Sequence, residues 1–184
     1  RFAEGCPPSL LATGYGVLAL ELLGGLETLS PGEREQTAAT IGSYWDAGRA
    51  AFRDPQWGEA DRTGINDETY LREEENAFAY QALDALSCVK AERADAVATG
   101  LAPQGSARLL HAHPPAALAA GAASRDPQAL VAWLEDLDWS RPWGASNRVM
   151  FLLSLMAIAI EGEPEEGGAG LLAPFDAALD WLDG

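Results

Sequence analysis

Apolar residues recur along this chain at the three- and four-residue spacing of helices, and alternating runs of β-branched residues, typical of strands, do not occur in the sequence. The pattern predicts an all-α fold. Predicted helices cover about residues Ser9–Leu23, Pro31–Trp45, Glu68–Val89, Ala91–Thr99, Pro127–Leu137, Ser146–Glu161 and Leu171–Leu182.

Short polar motifs indicate where several helices begin. Ser30, Pro31 and Glu33 form a capping box with proline at the first helical position. Ser9, Asp67, Asp126 and Ser146 are also predicted to begin helices, and Gly24-Gly25 to end the first one. The segment AGRAAFRDPQWGEADRTGIN, residues 47–66, is predicted to be a loop. Loops of this length are often functional or mobile.

Two predicted helices have almost no polar face, Ser9–Leu23 and Ser146–Glu161. A helix that is apolar all round needs cover on every side. We therefore expect antiparallel helical hairpins in two layers, with these two helices inside and the amphipathic helices outside. Gly14 and Gly16 each cost about 1 kcal/mol in an exposed helix, so they indicate a close approach of another backbone or a ligand.

The stretch TGYGVLALELLGGLETLSPGEREQTAATIGSYWD, followed by AAFRDP, resembles the helix pairs of the terpenoid-cyclase and protein-prenyltransferase α/α toroid superfamily. WLEDLDWSRPWGASNRVMFLLSL is similar to poorly characterised bacterial proteins of that fold. The resemblance implies one all-helical domain over residues 1–184, forming a partial or incomplete α/α toroid. A full ring then requires a longer chain, a homo-oligomer or a second chain.

Composition restricts the partners. The chain has 12 basic and 28 acidic residues, a net charge of −16, and is 48% hydrophobic. Nucleic-acid-binding proteins need clustered Lys and Arg, so no nucleic-acid partner is expected. The longest apolar run, Val149–Ile160, is too short to cross a bilayer, so no membrane span is expected either.

Cysteine usage predicts a reduced, cytoplasmic chain, because Cys6 and Cys88 are the only two and lie far apart in the sequence. With His111 and His113 they lack the short spacing of a zinc site, and the zinc ligands of the prenyltransferases are not recognisable. No phosphate-binding loop or nucleophile elbow occurs. We expect no metal and no cofactor.

Glu75 is the main candidate for chemistry. At 100° per residue it falls in the centre of the apolar stripe Leu71, Phe78, Ala82, Leu86 and Val89. A buried carboxylate of this kind is a candidate general acid. The alternative is that the helix frays near its start and Glu75 is solvated.

A second group of candidates lies in DLDWSRPW. Asp136 and Asp138 beside Trp139 and Trp143 suit protonation of an alkene, shielding of a cation or binding of a sugar. Class II terpenoid cyclases carry Asp-x-Asp-Asp, whereas here Trp139 takes the last position. In the alternative interpretation the tryptophans fill space between layers and Asp138 caps a turn.

Further candidates would bind substrate. Asn147, Ser154 and Glu161 are spaced by seven on one apolar helix and would face a lumen, or else serve its caps and backbone. Tyr80 would shape the pocket. His111 would shuttle a proton if its loop covers the cavity mouth, and is otherwise solvated.

Three functions remain open. The first is a small-molecule biosynthetic enzyme, with Glu75 as acid, Asp136 or Asp138 as partner, and isomerisation or cyclisation as the reaction that the resemblance implies. The second is an α/α carbohydrate-active protein that pairs Glu75 with Asp138. The third is a non-catalytic helical interaction domain, for which an exposed apolar patch and no closed pocket are expected.

Overall fold

The computed structural model describes residues 8–57, 68–87, 125–162 and 169–184. The chain divides into two compact units, residues 1–113 and 114–184, and each unit is described by itself. The described residues form six α-helices, one 3₁₀ turn and one two-stranded hairpin, which confirms the all-α fold class. The elements are α1 Leu10–Leu22, the turn Leu26–Thr28, α2 Pro31–Gly42, β1 Trp45–Asp46, β2 Ala51–Phe52, α3 Glu68–Ser87, α4 Pro127–Glu135, α5 Pro142–Gly162 and α6 Ala169–Asp183.

The predicted starts of α1 and α2 are confirmed by side-chain caps. Ser9 Oγ accepts the N–H of Ala12 at 3.1 Å at the start of α1. In α2 the hydroxyl of Ser30 accepts the N–H of Glu33, and the Glu33 carboxylate accepts the N–H of Ser30 at 2.8 Å. α2 ends at Gly42, before the predicted Trp45, because the chain then enters the hairpin.

Helix α3 is the central helix of the first unit and contacts α1, α2 and β2. Its side chains are buried on several faces because alanines alternate with large residues and let neighbouring elements approach closely. The buried side chains of α3 are Leu71, Glu75, Asn76, Ala77, Phe78, Ala79, Tyr80, Ala82, Leu83, Ala85 and Leu86.

The prediction that α1 is covered on every side is wrong. Leu10, Leu11 and Val17 are buried, but Leu22 is 87% exposed and Leu23 is 82% exposed. Among the described elements α1 packs mainly on α3, with a smaller contact with α2, so its low polarity does not mean complete burial. In the first unit the inner helix is α3, which carries more polar residues than α1.

Gly14 and Gly16 differ in their surroundings. A Cβ atom on Gly14 would lie 3.3 Å from both the Cβ and the carbonyl oxygen of Phe78, so here α1 and α3 approach as closely as glycine allows. A Cβ atom on Gly16 would meet no described atom within 4 Å, so no described backbone makes the close approach predicted there.

We therefore expect opposite effects from the same substitution at these two glycines. Gly14→Ala lowers the free energy of unfolding by about 1–2 kcal/mol, because overpacking outweighs the gain in helix propensity. Gly16→Ala raises it by up to about 1 kcal/mol, because only the propensity gain remains. Urea unfolding followed by circular dichroism measures both, and effects of the same sign would contradict the described packing of α1 on α3.

The second unit contains α4, α5 and α6, with α6 in contact with both other helices. Asp126 caps α4 as predicted, since its carboxylate accepts the N–H of Gln128 at 2.9 Å. The predicted cap at Ser146 is wrong: α5 begins four residues earlier, at Pro142, and the N–H of Ala145 donates to the carbonyl of Arg141 at 3.2 Å. The proline suits the first helical position because it has no N–H to satisfy there.

Helix α5 is not covered on every side either, which corrects the second inner-helix prediction. Only 33% of its most apolar stretch is buried, and Met150 is 44% exposed. By length and composition the segment Pro142–Glu161 would suffice to cross a membrane. A single helix of this kind is weak evidence, because helices from globular cores have the same composition. The described residues therefore give no clear membrane span.

Candidate functional site

The candidate site starts at the hairpin that follows α2. The Oδ1 atom of Asp46 accepts the N–H groups of Gly48 at 2.9 Å and Arg49 at 3.2 Å, and so closes an Asx turn. Ala50 takes a left-handed φ of 49°, and the chain then returns antiparallel, with Trp45 opposite Phe52. The hydrogen bond from the Arg49 guanidinium, 2.8 Å long, holds the pKa of Asp46 below its usual value.

Two neighbouring polar residues of α3 bind the returning strand. Asn76 Oδ1 accepts the N–H of Phe52 at 2.8 Å, and Asn76 Nδ2 donates to the Phe52 carbonyl at 3.2 Å. One side chain thus pairs with both backbone groups of Phe52, as a neighbouring strand would. Glu75 Oε1 accepts the N–H of Asp54 at 3.0 Å, two residues further along.

Asp54 connects the same segment to α1. It is fully buried, and its Oδ2 atom accepts the N–H of Leu10 at 2.8 Å, the first residue of α1. Its Oδ1 atom accepts the N–H of Gln56 at 3.0 Å. The buried carboxylate therefore satisfies one of the backbone donors that a helix start leaves without a partner inside the helix. Together the three polar side chains fix residues 52–56 between α1 and α3.

A pocket of about 230 Å³ opens between the hairpin segment and α3. This is below the 300–1,000 Å³ of typical ligand sites, so it suits a small molecule. The described part of its lining combines three guanidinium groups, two carboxylates and the backbone and ring of β2. The described residues that line it are Arg49, Ala51, Phe52, Arg53, Glu68, Arg72 and Glu75.

The three arginines of the pocket differ in their pairing. Arg49 is bound to Asp46 at 2.8 Å. Arg53 Nη1 lies 3.9 Å from Glu68 Oε1, beyond hydrogen-bond distance. Within the described residues the Arg72 guanidinium forms no hydrogen bond or ion pair. The pocket thus retains donor capacity at Arg53 and Arg72.

The predicted burial of Glu75 is confirmed, since the residue is 3% exposed and lines the pocket. The alternative of a frayed, solvated helix start is wrong, because α3 extends from Glu68 and the carboxylate is held by the Asp54 N–H. Its catalytic role stays a prediction.

Two tyrosines flank this region in different ways. The Tyr15 hydroxyl donates to Glu74 Oε1 at 3.1 Å. Burial raises the pKa of Tyr15 to about 12, with a smaller contribution from the nearby Glu74 charge. Burial also raises the pKa of Glu74. Tyr80, predicted to shape the pocket, is buried and packs edge-on against Phe52, with ring centroids 5.2 Å apart. It supports the pocket wall through that ring, and burial raises its pKa.

The candidates from DLDWSRPW lie in the second unit, whereas Glu75 lies in the first. Asp136 is the exposed C-cap of α4, and Asp138 accepts the N–H of Ser140 at 3.2 Å, which is the turn-capping alternative. The Trp139 indole donates to the Leu134 carbonyl at 2.8 Å and packs against Trp181, with ring centroids 5.7 Å apart.

Trp143 is 78% exposed, so it fills no space between layers within this chain. Asn147 and Ser154 lie on α5 and are partly buried, and Glu161 is exposed at its end. His111, predicted as a proton shuttle, lies outside the described residues, as do Asp67, His113, both cysteines and the predicted helix Ala91–Thr99. No group of three or more His, Cys, Asp or Glu side chains suited to a metal ion occurs within the described ranges.

Sequence reasoning missed Asp54, Asn76 and the pocket arginines. A signal for the arginines was present, because four of the twelve basic residues, Arg49, Arg53, Arg62 and Arg72, fall within 24 positions of a strongly acidic chain. Asp54 gave no such signal, since its partner Leu10 is 44 residues away.

Comparison of the chain with protein-family models, with curated proteins and with solved structures found no match. The resemblance to the α/α toroid superfamily therefore stays a prediction, as does the arrangement of the hairpins in a ring.

Proposed function

We propose that the chain is an enzyme that acts on a small molecule in the pocket between the hairpin and α3, with Glu75 as its acid–base group. The observation that carries the proposal is a carboxylate, 3% exposed, on the wall of a pocket of about 230 Å³. Buried carboxylates on pocket walls are frequent sites of proton transfer, because the pocket brings substrate to the group while the protein excludes bulk water.

The surroundings of Glu75 support this role. Its Oε1 atom accepts the N–H of Asp54, a backbone group that is itself fixed by the bonds of Asp54 to α1 and the following loop. A carboxylate positioned in this way loses little further freedom when a substrate binds. Glu68 is the second carboxylate that lines this pocket.

Isomerisation or cyclisation by proton transfer is the reaction class that we propose. It is supported by Glu75 and by the resemblance of the helix pairs to terpenoid cyclases. The same proposal includes Asp136 and Asp138 as partners of Glu75, a cytoplasmic location, and a second copy or chain that completes the ring. None of these rests on a contact described above.

The test uses exchange of protons with solvent, which acid–base enzymes catalyse even where the net reaction is unknown. The protein is incubated in D₂O with a small-molecule extract of bacterial cells, and mass spectrometry records compounds that gain deuterium or are converted. We expect at least one such compound with the wild-type chain. We expect its rate to fall at least about 100-fold in Glu75→Gln, the usual size of a general acid–base contribution.

Two features make this test decisive. Glutamine keeps an oxygen that accepts the Asp54 N–H, so the fold is retained, as circular dichroism will check. Glu35→Gln is the matched control, because Glu35 is an exposed carboxylate on α2 outside the pocket, and it should exchange at the wild-type rate. An unchanged rate in Glu75→Gln, or no altered compound with the wild-type chain, would refute the proposed function.

A further inference from the structure

We propose that the ligand of this pocket carries an anionic group, a carboxylate or a phosphate, and that the guanidinium groups of Arg53 and Arg72 bind it. This inference rests on the proposed function only for the location of the site. It goes further by naming the chemical class of the ligand and the residues that select it.

The charge at the pocket differs from the charge of the whole chain. The chain carries −16, yet among the described residues the charged side chains that line the pocket are three arginines and two glutamates. An acidic surface repels anions at long range, so a local excess of guanidinium groups in a concave site is unusual here. Planar guanidinium groups bind carboxylate and phosphate through paired N–H donors.

The three arginines of the pocket differ in how they are paired. Arg49 is bound by Asp46 at 2.8 Å, and its side chain is 61% exposed. The Arg53 side chain is only 23% exposed, and among the described residues its nearest carboxylate oxygen is Glu68 Oε1, 3.9 Å away. The Arg72 guanidinium has no hydrogen-bond or ion-pair partner within the described residues. Two cations at one pocket with unused donors are a site for an anion.

Charges of opposite sign alternate along one face of α3. Glu68, Arg72 and Glu75 are spaced by four and three residues, so they share one helix face, with Arg72 between the two carboxylates. Each residue advances about 1.5 Å along the axis, which puts Arg72 one turn before Glu75. The anionic group at Arg72 would hold a small ligand within reach of the Glu75 carboxylate without placing two anions together.

The experiment titrates the full chain with sodium phosphate and, separately, with sodium succinate, and follows backbone amide shifts by NMR. Succinamide is the uncharged control. We expect millimolar binding of at least one anion, shift changes at the pocket amides of Ala51 and Phe52, and none with succinamide. The anion that binds more tightly decides between phosphate and carboxylate.

The variants then assign the residues. Arg72→Gln and Arg53→Gln should each raise the dissociation constant at least about 10-fold, since hydrogen bonds to charged groups contribute more than neutral ones. Arg125→Gln, at an exposed arginine of the second unit, should leave it unchanged. Absence of binding at millimolar anion, equal affinity in all three variants, or shift changes away from Ala51 and Phe52 would overturn the inference.

The two proposals fail separately. Glu75→Gln should bind the anion at least as tightly as the wild-type chain, because a like charge is removed from the pocket. Exchange that depends on Glu75 without anion binding would leave the proposed function in place and refute this inference. Anion binding with exchange that is unaffected by Glu75→Gln would do the reverse.

Discussion

Asp54→Ala is expected to lower the free energy of unfolding by about 3 kcal/mol. The carboxylate is fully buried and accepts the N–H groups of Leu10 and Gln56 at 2.8 and 3.0 Å. Alanine leaves the Leu10 donor buried without an acceptor, at a cost of about 1–3 kcal/mol, and removes the second bond as well. Urea unfolding measures the loss, and hydrogen exchange of the Leu10 amide should accelerate locally.

The control for this substitution is Glu35→Ala, which removes the same charge from an exposed site on α2. Its effect should stay within about 0.5 kcal/mol. Asp54→Asn should fall between the two, because asparagine keeps one acceptor oxygen and turns an NH₂ group toward the other donor. Equal stability of Asp54→Ala and Glu35→Ala would show that the carboxylate does not support the start of α1.

Asn76→Ala is expected to cost about 2–3 kcal/mol. The amide forms three hydrogen bonds, two with the backbone of Phe52 and one to the carbonyl of Arg72 at 2.7 Å. Phe52 is 1% exposed, so water cannot replace the lost partner of its N–H. Urea unfolding measures the cost, and faster hydrogen exchange at the Phe52 amide identifies its origin.

A comparison variant and a double mutant sharpen this result. Gln36→Ala removes an exposed amide from α2 and should change stability by less than about 0.5 kcal/mol. Asp54 and Asn76 hold the same short segment, so the double variant should cost less than the sum of the two single variants. If the two single-variant losses in unfolding free energy simply add, Asp54 and Asn76 stabilise the segment independently of each other.

The stability of this segment bears directly on the candidate site. Arg53 lies between Phe52 and Asp54, the residues that Asn76 and Glu75 bind through their backbone N–H groups. Releasing either bond would let Arg53 move away from the pocket that it lines together with Arg72. Variants of Asn76 should therefore weaken anion binding although Asn76 does not line the pocket.

The burial of Glu75 shows what helical periodicity can predict and what it cannot. Its position in the apolar stripe was sufficient to predict that the carboxylate is buried, because α3 presents a regular face to its neighbours. Periodicity did not predict what the carboxylate binds. That partner, the Asp54 N–H, is 21 residues away across a loop.

The hairpin illustrates the opposite case. Two-residue strands leave almost no sequence pattern, and the sequence therefore predicted a loop over residues 47–66, where the structure has β2. The strand Ala51–Phe52 exists because Asn76 binds Phe52 on the other side of the chain segment, and because Asp46 closes the turn. The exposed flank of α1 is a similar case. Hydropathy shows that the helix is apolar, but it does not show whether neighbouring elements bury all of its faces.

The sequence by itself determined the all-α class, the starts of α1, α2 and α4, and the burial of Glu75. Each of these depends on residues within one or two helical turns of each other, where spacing alone sets the contacts. Only the tertiary structure decided which helix is central, which glycine is a close contact, and that Arg49, Arg53 and Arg72 meet at one pocket. Those features depend on contacts between residues far apart in the sequence, such as Leu10 with Asp54 and Gly14 with Phe78, whose geometry no local pattern contains.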